Sequence, residues 1–240
     1  MEATSCKLDY SVAKTGSGGI PVIIAAAGSS VRMGGEDKQL ICVGGIPVIA
    51  RTLLAFERCD CISRIILVTR EESINRMQLI AEKYLIGKLT DIVGGGNTRQ
   101  ESVLRGIERL AADENKVLVS DGARMFVTDK MIRDCVQALS VHDGCLCAVK
   151  VNDTVKEVNG KNVVRTVDRS GLYLAQTPQG ITVDLYKKAI ESVDISSLTD
   201  DASVLEAIGA DVAIVDGDVK NIKITAPGDI ALAEIYVKEN

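Results

Sequence analysis

Aromatic side chains are nearly missing from this sequence: Trp is absent, Phe occurs twice and Tyr five times, 3% of 240 residues. A binder that stacks bases on exposed rings is thereby disfavoured, and Ile, Val, Leu and Ala must fill the core. A surplus of positive charge is also lacking. Lys plus Arg number 28 against 33 Asp plus Glu, a formal charge of −5. That balance gives no overall attraction for nucleic acid or an anionic membrane, so neither is expected as a partner. No apolar run reaches the roughly 20 residues of a membrane span; the longest, Pro21 to Ala27, is far shorter. Met1 to Gly19 has no apolar segment of the kind a secretory signal needs. Cys occurs seven times, an odd number, and neither C-x-C pair (Cys59/Cys61, Cys145/Cys147) has a second Cys or His pair at metal-finger spacing. Reduced, structural thiols and a cytoplasmic location are the expectation.

What is present is an ordinary globular balance, 46% hydrophobic and 25% charged, in a length that suits one large domain. Residues 1–19 end in Thr-Gly-Ser-Gly-Gly and read as a flexible leader; residues 20–240 read as a single domain. Within it, Val22-Ile23-Ile24, Ile65 to Val68 and Val117-Leu118-Val119 are apolar on both faces, as buried parallel strands are. They alternate with amphipathic stretches at helical spacing: Val48 to Arg58, Glu101 to Ala111 and Met131 to Val141. This rhythm predicts an α/β fold, a Rossmann-like, mostly parallel twisted sheet with helices on both faces.

After about Val149 the pattern changes. Lys150 to Val158 alternates apolar and polar residues, Asn159-Gly160 is a hairpin-turn signal, and Val163 to Arg169 reads as the return strand. A lone two-stranded ribbon is marginal, so this arm (about 150–172) is expected to project and meet the same arm of a second chain. Helix-strand alternation then resumes with Val183 to Ser192, Ala202 to Ile208, Val212 to Val215, a short edge strand Asn221 to Thr225, and a closing helix from Pro227 to about Lys238.

In such a sheet, ligands bind beyond the carboxyl ends of the strands. The first loop there, Ala25 to Gly35 leading to Lys38, is neither G-x-x-x-x-G-K-[ST] nor G-x-G-x-x-G. Its small residues let backbone N–H groups approach phosphates, with Arg32 and Lys38 adding charge; the same composition also suits a glycine-rich turn with two solvated cations. The second, Gly94-Gly95-Gly96-Asn97-Thr98, precedes a helix that either Asn97 or Thr98 would cap. The third, Ser120-Asp121-Gly122-Ala123-Arg124, puts an Asp at a strand end, where it would hold a cation or a substrate hydroxyl. Lys223 closes the set on its short strand.

Taken in order, Ala26-Ala27-Gly28, Arg32-Met33, Lys38-Gln39, Gly95-Gly96 with Arg99-Gln100 and Ser102, and Asp121 to Arg124 resemble nucleotidyltransferases that activate sugar or polyol phosphates. Asn152 to Lys156, Thr166 to Arg169, Thr177-Pro178-Gln179, Thr199 to Ser203 and Asn221-Ile222-Lys223 narrow the resemblance to the 2-C-methyl-D-erythritol 4-phosphate cytidylyltransferases of the non-mevalonate isoprenoid pathway. The resemblance runs from about Ile20 to the carboxyl terminus. It implies transfer of CMP from CTP to the polyol phosphate, with release of pyrophosphate and a divalent cation, usually Mg2+. Two anions must meet, the substrate phosphate attacking the α-phosphorus in line, so positioning and charge stabilisation carry the catalysis; no side-chain nucleophile is needed, and His142 is expected at the surface.

By the same resemblance, Arg32, Lys38 and Lys223 are the catalytic cations. Ala26, Ala27, Gly28, Gly96, Asn97, Ser102 and Gly122 would bind CTP. Asp121, Arg124, Thr177 and Thr199 would contact the polyol phosphate, with Thr154 and Arg169 reaching from the arm into the partner subunit of a homodimer. Asp121 is the candidate metal ligand. Three departures from the family pattern stand out: Ser30 for a glycine, Asp37 for a proline, and Asp121-Gly122-Ala123-Arg124-Met125 for Asp-Ala-Ala-Arg-Pro. Asp37 puts a negative charge beside Lys38, which would weaken its grip on phosphate. Two alternatives share these motifs: a ribitol 5-phosphate cytidylyltransferase, and a catalytically inactive CTP-binding regulator.

Overall fold

A computed structural model describes residues 19–28, 37–194 and 198–239. In chain order its elements are β1 (Ile20–Ala25), β2 (Cys42–Val43), β3 (Ile46–Pro47), α1 (Val48–Glu57), β4 (Ile62–Thr69), α2 (Ile74–Lys83), β5 (Leu89–Gly94), α3 (Arg99–Ile107) and β6 (Lys116–Asp121). There follow α4 (Asp129–Val141), β7 (Gly144–Lys150), β8 (Val155–Asn159), β9 (Asn162–Val167), β10 (Tyr173–Thr182), α5 (Val183–Ser192), α6 (Asp201–Glu206), β11 (Val212–Asp216) and α7 (Pro227–Glu239). Of the expected leader, only Gly19 is among the described residues.

Seven strands form one sheet in the order β11-β7-β10-β6-β1-β4-β5. The β-branched run of β1 lies in its interior, in parallel register with β4 (Ile23 opposite Ile66) and β6 (Ile23 opposite Val119). Successive side chains of a strand face opposite sides. Val22 and Ile24 accordingly enter one core with Leu53 of α1 and Ile132 of α4. Ile23 enters another with Val103 of α3 and Tyr186 of α5. Helices therefore cover both faces, as the doubly apolar strands predict. The exception to parallel order is β10, antiparallel to both β6 and β7.

Local chemistry sets several element ends. Thr128 caps α4 by accepting from Met131 N at 3.3 Å, and Asp200 caps α6 by accepting from Ser203 N at 3.0 Å. α6 accordingly starts at Asp201 and stops short of the predicted Ile208. α3 ends at Ile107, not Ala111, because the chain tightens into i→i+3 turns, with Arg109 N donating to Gly106 O at 3.1 Å and Leu110 N to Ile107 O at 3.0 Å.

The arm is a separate two-stranded sheet of β8 and β9. It is shorter than the alternation predicts: Lys150 closes β7, paired with Tyr173 of β10, and β8 starts only at Val155. Asn159 pairs with Asn162, so Gly160 and Lys161 form the turn, and Gly160 takes φ +58°, a left-handed value that favours glycine. The predicted edge strand Asn221–Thr225 is not a strand; β11 and β5 are the sheet's edges. The Asn221 side chain instead donates to Thr177 O at 2.9 Å, and Ile224 N donates to Ala123 O at 2.9 Å. Ile224 joins Val43, Val48, Met125 and Ala233 of α7 in a third core. That is where Met125 fits in place of the commoner proline. Among the described residues no helix is long and apolar enough to cross a membrane.

Candidate active site

β1, β4, β5 and β6 run parallel, so the loops after them gather at one end of the sheet. There a cavity of about 450 Å³ is lined by Ala27 and Gly28 after β1, by Lys38, and by Gly96, Asn97 and Ser102 around the start of α3. A second, of about 210 Å³, is lined by Arg124, Thr177 and Thr199. Three residues line both: Arg99, Asp121 and Lys223.

The second glycine-rich loop is held by its own side chains. Thr98 caps α3, accepting from Glu101 N at 3.1 Å. Gly96 N donates to Ser102 Oγ at 3.1 Å, and Asn97 N to Glu101 Oε2 at 2.7 Å. A Cβ on Gly95 would lie 2.2 Å from Ala27 Cβ, so this loop packs on the first only because that residue is glycine.

The predicted residues do not all face the cavities. Ala26 N donates to Val68 O at 2.7 Å and Gly122 N to Ala25 O at 2.9 Å, so these amides fasten strands together. Thr177 does line the smaller cavity, and its hydroxyl accepts from Asp121 N at 3.0 Å, fixing the end of β6. Thr154 and Arg169 lie at the base of the arm, exposed, with Arg169 donating to Asn152 O. Arg32 and Ser30 lie outside the described residues.

Asp121 corrects one expectation. Its carboxylate is buried and faces three cations: Arg99 Nη1 at 2.5 Å from Oδ1, Lys223 Nζ at 2.9 Å and Arg124 Nε at 3.3 Å from Oδ2. Burial alone would raise its pKa; the attraction of Arg99, then Lys223 and Arg124, outweighs it and holds Asp121 well below the ordinary 3.8. A divalent cation does not fit this carboxylate, since both oxygens are taken and any ion there would sit among three positive groups. Among the described residues, three metal-ligating groups come together only at Cys59, Asp60 and Cys61, where Asp60 pairs with Arg133 at 2.7 Å. That turn precedes β4, at the other end of the strand from the loops above.

Arg99 is the residue whose role sequence reasoning missed. Its second nitrogen, Nη2, lies 2.6 Å from Asp201 Oδ2, so one guanidinium joins two buried carboxylates. Asp201 also accepts from Tyr186 OH at 3.2 Å, and its backbone N donates to Gln179 Oε1 at 2.9 Å. Burial raises the Asp201 pKa against the pull of Arg99. Nothing local marked this link. Gln39 was also missed; it lines the larger cavity and its Oε1 is buried without a partner.

Three cations, Arg99, Lys223 and Arg124, thus share two buried carboxylates, so the cluster of which the common wall is part has one positive charge in excess. Such a wall suits two anionic groups brought side by side. The family model described as "IspD: 2-C-methyl-D-erythritol 4-phosphate cytidylyltransferase" matches residues 20–239. The chain belongs to this family. The 2-C-methyl-D-erythritol 4-phosphate cytidylyltransferase of Halalkalibacterium halodurans is 41% identical over 221 residues, 91% of this chain and 96% of that one. The crystal structure of 4-diphosphocytidyl-2C-methyl-D-erythritol synthase from Anaerococcus prevotii matches with a TM-score of 0.80 at 32% identity, covering 92% of this chain and 96% of that one. The Thermus thermophilus cytidylyltransferase matches at 0.74 and 29%, covering 92% and 99%. These likenesses favour neither ribitol phosphate nor an inactive regulator.

Proposed function

We propose that this protein transfers CMP from CTP to 2-C-methyl-D-erythritol 4-phosphate, releasing pyrophosphate, in the formation of isoprenoid precursors. The observation that carries this reading is the cationic wall of Arg99, Asp121 and Lys223 shared by two cavities. The larger cavity takes CTP, with its triphosphate against Lys38 and, from the first loop, Arg32. The smaller takes the polyol phosphate beside Arg124, Thr177 and Thr199. Lys223, on the common wall, reaches both the α-phosphate and the incoming phosphate, where charge builds as phosphorus becomes five-coordinate. Mg2+ enters this reading on the triphosphate oxygens and not on Asp121. The six described cysteines are free thiols, which suits a cytoplasmic location.

Pyrophosphate release with CTP and each candidate phosphate tests the assignment. Methylerythritol phosphate is expected to turn over faster; a higher rate with ribitol 5-phosphate, or CTP binding with no product under any divalent metal, overturns it.

The arm gives the homodimer its support. Every residue of β8 after Val155 is exposed, as are those of β9 up to Thr166, and Val158, Val163 and Val164 are 58%, 61% and 58% exposed. Apolar side chains clustered on a marginal ribbon fit burial against a second copy, which would carry Thr154 and Arg169 to its site. Val163→Asp with Val164→Asp is expected to yield a monomer by sedimentation, with at least about tenfold lower turnover as a pocket residue is withdrawn. A monomer with full turnover contradicts it.

A further inference from the structure

The turn that presents Lys38 is built by its acidic neighbour. Leu40 N donates to Asp37 O at 2.9 Å, placing Lys38 and Gln39 at the centre of a four-residue turn. Gln39 N donates to Asp37 Oδ1 at 3.1 Å, the way Asp side chains commonly stiffen a turn. This device has a cost. It sets a negative charge one residue from a cation that faces the larger cavity. The second carboxylate oxygen resolves the conflict: Asp37 Oδ2 lies 2.5 Å from Arg70 Nη2. The Asp37 side chain is 9% exposed and that of Arg70 28%, so water screens this pair less than an open surface pair. Arg70 directly follows β4, a strand paired on both sides within the sheet, by β1 and β5, and Glu72 lies 3.6 Å from its Nη1. The guanidinium is therefore anchored independently of the turn it holds.

We propose that Arg70 is a positioning residue for Lys38. By occupying Asp37 Oδ2 it cancels the charge that would otherwise compete with the phosphates of a nucleoside triphosphate for the lysine. The inference rests on the reading that Lys38 meets the CTP phosphates. The weakening expected from Asp37 beside Lys38 is thus offset by a residue 33 positions away.

Five variants of the full-length protein, with CTP KM, kcat and melting temperature measured for each, test the proposal. Arg70→Met leaves Asp37 unpaired and is expected to raise the CTP KM about tenfold, with a smaller change in kcat. Asp37→Asn keeps an acceptor for Gln39 N without the charge and should stay near wild type. The double variant Asp37→Asn/Arg70→Met should recover to within about threefold of wild type, since no charge remains to be cancelled. Arg70→Lys, which keeps a cation, should do the same and serves if Arg70→Met does not fold. A double variant as impaired as Arg70→Met overturns the proposal, because a scaffold role for Arg70 is not rescued at Asp37. An unchanged KM in Arg70→Met overturns it too. Lys38→Met separates the premise from the inference. If it keeps wild-type KM and kcat, the reading of Lys38 fails; if it is impaired while Arg70→Met is not, only the positioning role fails.

Discussion

Replacing Lys223 with Met is expected to lower kcat for CMP transfer by about 10²- to 10³-fold, the loss typical of one preorganised charged donor. The melting temperature should hardly move. Lys223 sits between Ile222 and Ile224, both packed in the third core, so the backbone that aims it does not depend on its charge. Its side chain is 39% exposed, and Met retains most of its apolar stem. Asp121 loses one of three cations but keeps Arg99 at 2.5 Å and Arg124 at 3.3 Å. The effect should therefore appear in the rate and not in the fold. Single-turnover measurement at saturating CTP separates the chemical step from binding. A kcat within about fivefold of wild type would remove Lys223 from the transition state, since that is well short of a lost charged donor.

Arg99→Leu is expected to do the reverse and act first on stability. The substitution strips the Arg99 contact from Asp121 and, among the described residues, the only cation paired with Asp201, which is fully buried. Breaking a buried ion pair from one side costs about 3–5 kcal/mol, because the remaining charge is left uncompensated. In a chain of this size that corresponds to a fall in melting temperature of roughly 6–20 °C. The deficit should shrink in acid. In the wild type the Asp121 pKa is held below 3.8, so its contribution is present above about pH 4 and is lost as the pH falls further. In the variant, burial without Arg99 raises both carboxyl groups, and their protonation favours the folded state as the pH falls. Thermal melts from pH 7 to pH 3 should show the two proteins converging. A constant gap, or no gap at pH 7, contradicts the account.

These two residues differ in how far along the chain their partners lie. Lys223 was legible because it stands in a short motif, Asn221-Ile222-Lys223, although its predicted strand was wrong: Asn221 spends its side chain on Thr177 O, and the segment packs under α7. Arg99 stands in a family motif, yet the sequence gives it no role, since neither of its carboxylate partners is near it in the chain; Asp201 lies 102 residues away. Asp121 was recognised as a strand-end acid, but its three cations come from α3, from the turn after β6 and from the loop before α7.

Apolar periodicity and turn residues act over a few neighbours, so β1, β4, β6 and the span of α5, Val183–Ser192, could be read directly from the residue order, and with them the layered plan. The motifs that carry family membership are equally short. Insertion of β10 against the parallel order, the pairing of Asp37 with Arg70, and the meeting of three cations on one carboxylate emerged only once the chain was folded. Each depends on groups brought together across many turns of chain, where Coulomb attraction and burial act through space and leave no local trace.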